Sequence, residues 1–263
     1  MPALSMHLYP NGLPGSAYWY LLMQYGCTNR SDTNHIDQTV NASSVWNVNF
    51  GGSFYGGTFT VTATYDSLKC DNFVFYVRGT NPSTAAVRTY LAATNPYFYA
   101  AAIAMVESSM REFETGGVLG PNWNTRYKSC PLRHADRTGS YGWGLFQLTN
   151  PAPPQNQPTP LWSWKANADF AKTIMNNKNS IATTWINQQV ANQMRDNPNK
   201  PLSGHKFTWG GVTFQAGTSR TPIDACAIQA FNSYSPSTWV VYWNGTDWAQ
   251  QNSSYVTHVC ENL

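Results

Sequence analysis

Apolar residues alternate with threonines through Gly57–Tyr65, so that Phe59, Val61, Ala63 and Tyr65 fall on one face. A period of two predicts a half-buried strand. Residues 73–77, bounded by Asp71-Asn72 and Arg78-Gly79, read the same way, as do residues 45–50 and the apolar-aromatic stretch 18–25. Short strands at this spacing with glycine-rich turns predict a small β-sandwich over residues 1–82. We read its role as spacing or docking, because no planar aromatic cluster is identifiable along the linear chain.

The pattern changes across residues 80–84, where Asn81-Pro82 marks a boundary. Residues 85–93 predict a short helix and residues 96–112 a central one, with Asn95 as N-cap and Pro96 in the first turn. Every residue from Tyr97 to Val106 is apolar or aromatic, so this helix has no polar face and is expected to be buried all round. Residues 115–141 are long, glycine-rich and aperiodic, a length that usually marks function. Residues 151–160, rich in Pro and Gln, cannot be helix. Beyond them, residues 167–176 and 181–194 predict two helices, and 206–215 a hairpin turning at Gly210-Gly211. Residues 222–231 predict a helix capped by Thr221 with Asp224 in its first turn, and a last short helix starts near Ser253.

Glu107 stands where the central apolar run turns polar. A carboxyl at the edge of an apolar surface loses hydration, which favours its protonated form. A Glu protonated near neutral pH can donate a proton to a leaving oxygen. The plainer alternative makes Glu107 the first solvated residue past a core helix. Glu112 and Glu114 are read as solvated helix-end charges.

Composition narrows the ligand. Charged residues make up 11% of the 263, against a usual share of about a quarter. Asn, Gln, Ser, Thr and aromatics fill the gap, which suits an exported protein (periplasmic, extracellular or phage-delivered) and an uncharged polar ligand such as a glycan. A net charge of +3 gives no basis for nucleic-acid binding and is compatible with an anionic cell wall. No apolar run approaches the roughly 20 residues of a membrane span, so no membrane insertion is expected. No basic-then-apolar leader is visible in this chain. Five cysteines, at 27, 70, 130, 226 and 260, form no Cys-x-x-Cys pair and the five histidines are scattered, so neither a metal nor another cofactor is expected. A Cys27–Cys70 bridge would lie within the N-terminal region and a Cys226–Cys260 bridge would tie a late helix to the C-terminus, each worth about 4 kcal/mol. Cys130 is left over, five reduced thiols are the alternative, and the connectivity stays open.

Four short motifs then occur in a telling order: Glu107-Ser108, Gly144-Leu145-Phe146-Gln147, Gln229-Ala230-Phe231-Asn232, and Tyr255-Val256 with Val259. Over residues 85–263 this order resembles the lytic transglycosylase and goose-type lysozyme superfamily. Members carry a Glu-Ser helix end, a Gly-Leu-Met-Gln turn, an Ala-Tyr-Asn motif and a late Tyr-Val. Trp164 and Asn167, ahead of Phe170, sit where that family has an Asn-containing helix. Phe146 stands for Met and Phe231 for Tyr, and the second change removes a hydroxyl. Residues 61–82 resemble the last strands of bacterial immunoglobulin-like modules.

The resemblance implies a multi-domain chain, with an immunoglobulin-like β-sandwich at 1–82 and a mainly α lysozyme-like catalytic domain at 83–263. It implies cleavage of the β-1,4 bond between N-acetylmuramic acid and N-acetylglucosamine in peptidoglycan. Glu107 would be the single catalytic acid, and the sugar's own 6-hydroxyl would attack to leave a 1,6-anhydro end. Gln147 and Asn232 would hydrogen-bond the sugar and the Glu. One of Ser140 and Thr138 would hold the acetamido carbonyl and the other would shape the loop, and Tyr141, Trp143, Phe146 and Tyr255 would line the cleft. Asp136, in His134-Ala135-Asp136-Arg137, is a possible second acid. Goose-type enzymes have a similar Asp-Arg pair at a spacing shorter by two residues, and a further Asp where this chain has Thr149, which favours the transglycosylase outcome. The alternatives are a hydrolase of the same family (goose-type lysozyme or chitinase), with Asp136 positioning water, and a non-catalytic wall-binding protein. Glycan strands are the expected partner and a monomer the expected state.

Overall fold

The structure is a computed structural model that describes residues 3–24, 33–53, 55–113, 133–135, 141–149, 159–233 and 238–263, with only the backbone described at 133–135 and 141. The chain forms two compact units, each assembled from two separate stretches. The first takes residues 1–82 and 111–167, the second 83–110 and 168–263.

In the first unit, β1 (Ser5–Met6) pairs with β4 (Trp46–Asn47), and a larger antiparallel sheet is built on β2 (Ser16–Gln24). Strand β2 lies between β3 (Thr33–Asn41) and β5 (Gly57–Tyr65), and β5 also pairs with β6 (Leu68–Lys69) and β7 (Phe73–Val77). Alternation does the work here. Ala17, Trp19, Leu21 and Met23 of β2 and Phe59, Val61 and Ala63 of β5 point into one core. That core is closed by Trp46 and Tyr55 and by Phe113, Trp143, Leu161 and Trp162 from the second stretch. Each buried aromatic contributes roughly 2–3 kcal/mol. Gly56 lets the Trp162 ring lie on the backbone, since a Cβ there would sit 2.0 Å from a ring carbon. The remaining elements of this unit are the pair β8 (Arg133–Ala135) and β9 (Tyr141–Trp143), and the short α3 (Thr159–Trp162).

The second unit holds α1 (Thr84–Thr94), α2 (Ala100–Ser108), residues 168–196 of α4 (Trp164–Asp196), α5 (Pro222–Asn232) and α6 (Ser254–Glu261). Helix α6 packs on both α2 and α5, and α1 packs on α2. Two hairpins complete it, β10–β11 (Phe207–Trp209 with Val212–Phe214) and β12–β13 (Val241–Trp243 with Trp248–Gln250). Indole N–H groups tie the hairpins down: Trp185 donates to the Val241 carbonyl (2.8 Å) and Trp243 to Asp196 (2.9 Å). No helix among the described residues is long and apolar enough to cross a membrane.

Several expectations are corrected. Helix makes up 38% and strand 25%, the latter divided among several small sheets, so the fold is mixed α/β. It is not an immunoglobulin-like sandwich joined to a mainly α, lysozyme-like domain. The inward face of β2 and β5 is covered by Trp46 and Met6 of the short β1–β4 pair together with Phe113, Trp143, Leu161 and Trp162 from residues 111–167. Strand β3 was not foreseen, because Thr33–Asn41 offers only Ile36 and Val40 as apolar residues; as an exposed edge strand it needs few. The central helix is shorter than 96–112. Asn95 ends α1 and accepts from the Tyr97 N–H (3.0 Å), and α2 starts at Ala100. The two helices expected at 167–176 and 181–194 are one, since the polar link between them lacks Gly or Pro and weak helix formers cost only a few tenths of a kcal/mol each. Cys226 and Cys260 are free thiols, as is Cys70. Burial pushes the Cys226 thiol up to about 12 and the Cys260 thiol up to about 11, so both stay protonated.

Candidate functional site

Helix α2 ends abruptly after Glu107-Ser108. Ser109 and Met110 both take left-handed backbone (φ 55° and 57°), and the Met110 N–H reaches back to the Ala104 carbonyl at 3.1 Å. Such closure satisfies orphan carbonyls at a helix end, and two non-glycine residues in that region cost on the order of 1 kcal/mol each. Burial of the Met110 side chain, 1% exposed, holds the turn in place.

The turn leaves Glu107 at the C-terminal end of α2, facing Tyr255 in the first turn of α6. The Tyr255 hydroxyl donates to Glu107 Oε1 at 2.5 Å, the short distance of an O–H bonded to a carboxylate. Loss of hydration lifts the Glu107 carboxyl from its ordinary 4.5 to about 7, against the opposing pull of the Tyr255 hydrogen bond. The negative end of the helix dipole also disfavours the ionised form. Burial, then the neighbouring Glu107, raises the Tyr255 phenol well above its usual range, so it remains a donor. Glu107 is therefore an acid that is substantially protonated near neutral pH and whose carboxylate, once formed, already has a donor in place.

Tyr255 also forms part of the wall of a pocket of about 210 Å³, lined by Gln229, Asn232, Thr238, Val240, Gln251, Asn252, Ser253, Ser254 and Tyr255. No side chain of this lining is charged. Asn232 is the last residue of α5 and is exposed at the pocket, whereas Gln229, three residues earlier and on the same helix face, is buried. The pocket belongs wholly to the second unit.

The shifted acid predicts a pH dependence of stability. The folded chain holds the Glu107 proton more tightly than the unfolded chain does. Stability is thus fully present below about pH 4.5 and falls as pH rises toward 7, by about 3 kcal/mol for this group. Glu112, raised well above the usual carboxylate range by burial, acts in the same direction. Denaturant melts at pH 5 and pH 8 should show the loss, and Glu107→Gln should reduce it by the Glu107 share. A difference between the two pH values that is unchanged in the variant would contradict the buried acid.

The first unit contains a second polar cluster, under the Gly144–Gln147 turn. Glu112 is 0% exposed, which corrects its reading as a solvated helix-end charge; Glu114 lies outside the described residues. Glu112 Oε2 accepts from the Leu145 N–H (2.7 Å), and its other oxygen is buried without a partner. Asn167, also 0% exposed, accepts from the Phe146 N–H (3.0 Å) and donates to the carbonyls of Trp143 and Pro160. Asn81 anchors the other side by accepting from the backbone N–H groups of Glu112 and Phe113. Gly144 makes this possible: its φ is +72°, and a Cβ would lie 2.4 Å from Asn167 Nδ2 and 2.7 Å from Glu112 Oε1.

Of the residues singled out from sequence, Asn232 and Tyr255 line one pocket, and Glu107 is bonded to Tyr255. Gln147 and Phe146 belong to the first unit. Gln147 has left-handed backbone (φ 48°), and its side-chain amide donates to the Gly144 carbonyl (2.8 Å), closing its own turn. Phe146 is 0% exposed and Trp143 is also buried, so both pack the core where cleft-lining had been expected. The backbone of Tyr141 pairs with Ala135. Asp136, Thr138 and Ser140 lie outside the described residues. Sequence reasoning passed over Gln229 and Ser253; the i, i+3 spacing of Gln229 and Asn232 was the signal available for the first. Among the described residues no group of His, Cys, Asp and Glu could hold a metal ion. Compared with known proteins, the chain matches no family model, no curated protein and no solved structure.

Proposed function

We propose that this protein is an exported, monomeric lytic transglycosylase acting on peptidoglycan. It breaks the β-1,4 bond between N-acetylmuramic acid and N-acetylglucosamine and leaves a 1,6-anhydro end. The observation that carries the reading is Glu107, an acid lifted to about 7 and held by the Tyr255 hydroxyl, beside a pocket lined without charge. The ordered motifs from Glu107 to Val259 supply the reaction class by resemblance.

In the first step protonated Glu107 donates to the glycosidic oxygen as the bond to C1 breaks, and the N-acetylglucosamine side departs with a new hydroxyl. The electron deficit is left as an oxocarbenium-like centre at C1 of the muramic acid. Glu107, now a carboxylate, keeps the Tyr255 hydrogen bond, which is stronger in this state. It then takes the proton of the muramic 6-hydroxyl as that oxygen bonds to C1. The proton count closes and no water is consumed.

Mass spectrometry of a digest of purified sacculi tests the reading. Anhydromuramyl ends are the expected product. Reducing ends would assign a hydrolase instead, and intact sacculi that retain bound protein would leave a wall-binding protein.

A further inference from the structure

The side chain of Gln229 is oriented by a neighbour in a way that fixes what it can bind. Ser253 caps α6, and its Oγ accepts from the Val256 N–H (3.1 Å). The same hydroxyl sits 2.5 Å from Gln229 Oε1, to which it donates its hydrogen. With the oxygen end of the Gln229 amide at the Ser253 hydroxyl, the nitrogen end faces away from it. Among the described residues nothing accepts from Gln229 Nε2, and Nε2 is not among the atoms sealed without a partner, which are the Tyr99 hydroxyl and Glu112 Oε1. The residue is 8% exposed and what remains open of it lies on the pocket. An amide nitrogen open to a cavity in this way is hydrated when the cavity is empty and can exchange that water for a ligand acceptor.

The chemistry of that acceptor follows from the wall. Asn232, Gln251, Asn252, Ser253 and Tyr255 surround the same space and bring amide and hydroxyl groups without charge. No described residue of the lining is a cation that would draw an anion in. A volume of about 210 Å³ is below the ~300 Å³ at which sites for drug-sized ligands begin, so the pocket suits one sugar-sized group.

We propose that Gln229 is a ligand-binding residue of this pocket, its side-chain N–H groups donating to the acetamido carbonyl oxygen of an N-acetylated sugar, with Ser253 as the positioning residue that keeps the amide in that orientation. The identity of the sugar class rests on the transglycosylase reading; the donor geometry does not.

Nitrogen-15 NMR titration of the wild-type protein with N-acetylglucosamine tests it, since a monosaccharide has no glycosidic bond to break. The Gln229 side-chain amide signals should move and saturate with N-acetylglucosamine and stay in place with glucose, which lacks the acetamido group. Gln229→Met keeps the volume and removes the donors, and should raise the Kd about three- to tenfold. Ser253→Ala releases the amide and should raise it by less, with its fold checked by thermal melting because the helix cap is also lost. An unchanged Kd in Gln229→Met, equal responses to glucose and N-acetylglucosamine, or no saturable shift of the Gln229 amide would each overturn the proposal. Sacculus digestion by the wild-type protein is scored separately. Cleavage with an unresponsive Gln229 removes only this inference, and a responsive Gln229 without cleavage removes only the enzyme reading.

Discussion

Glu107→Gln is expected to lower the proposed peptidoglycan-cleaving activity about a hundred- to ten-thousandfold, the range contributed by a positioned general acid. The variant should fold normally. Gln is nearly isosteric with the protonated acid and can still accept the Tyr255 hydrogen bond at 2.5 Å. It also removes a carboxylate that the apolar surroundings resist, so at pH 8 the variant should be at least as stable as the parent. Sacculus turbidity and melts at pH 8 measure the two halves of this expectation. Tyr255→Phe separates support from chemistry. Without the hydrogen bond that lowers the Glu107 value, the carboxyl should titrate still higher and the alkaline limb of the activity profile should move up. Full activity in Glu107→Gln would remove the assignment.

The second large effect is on stability. Gly144→Ala should cost the first unit about 3–5 kcal/mol, seen as an earlier transition in urea melts followed by tryptophan fluorescence. The left-handed backbone at φ +72° accounts for about 1 kcal/mol of this. The remainder comes from a methyl forced to within 2.4 Å of Asn167 Nδ2 and 2.8 Å of both Glu112 oxygens. The methyl has to break the bonds that Glu112 and Asn167 make to the backbone of Leu145 and Phe146. Gly211→Ala is the control: its φ is +80°, but the space around it is open, so only the conformational cost should appear. Equal losses for the two variants would mean that the polar cluster beneath the turn contributes nothing.

Local pattern carried some elements well. The alternation in Gly57–Tyr65 and the short run Phe73–Val77 became strands with those bounds. The Thr221–Asp224 capping box opens α5, and the turn at Gly210-Gly211 joins a hairpin. The cap and the hairpin turn depend on residues only a few positions apart, and the strands announce themselves by a local alternation even though β5 pairs with the distant β2. Where the signal was weaker, it misled. Polar Thr33–Asn41 looked like nothing, and the acidic run after Met110 looked solvated, although Glu112 is sealed by the turn that begins at Gly144.

From the sequence alone came the periods, caps and turns, and the suspicion that falls on Glu107, because an acid at the end of an apolar run is visible in one dimension. Only the tertiary structure decided that Phe113 and Trp162, from a distant stretch, help to cover the inner face of the first sheet. It alone decided that Glu107 meets a tyrosine 148 residues later in the chain, and that the Ser253 hydroxyl bonds the Gln229 amide oxygen. The physical reason is the same in each case: period and capping report short-range geometry, whereas desolvation and side-chain orientation are set by neighbours that arrive from distant stretches and leave no periodic trace.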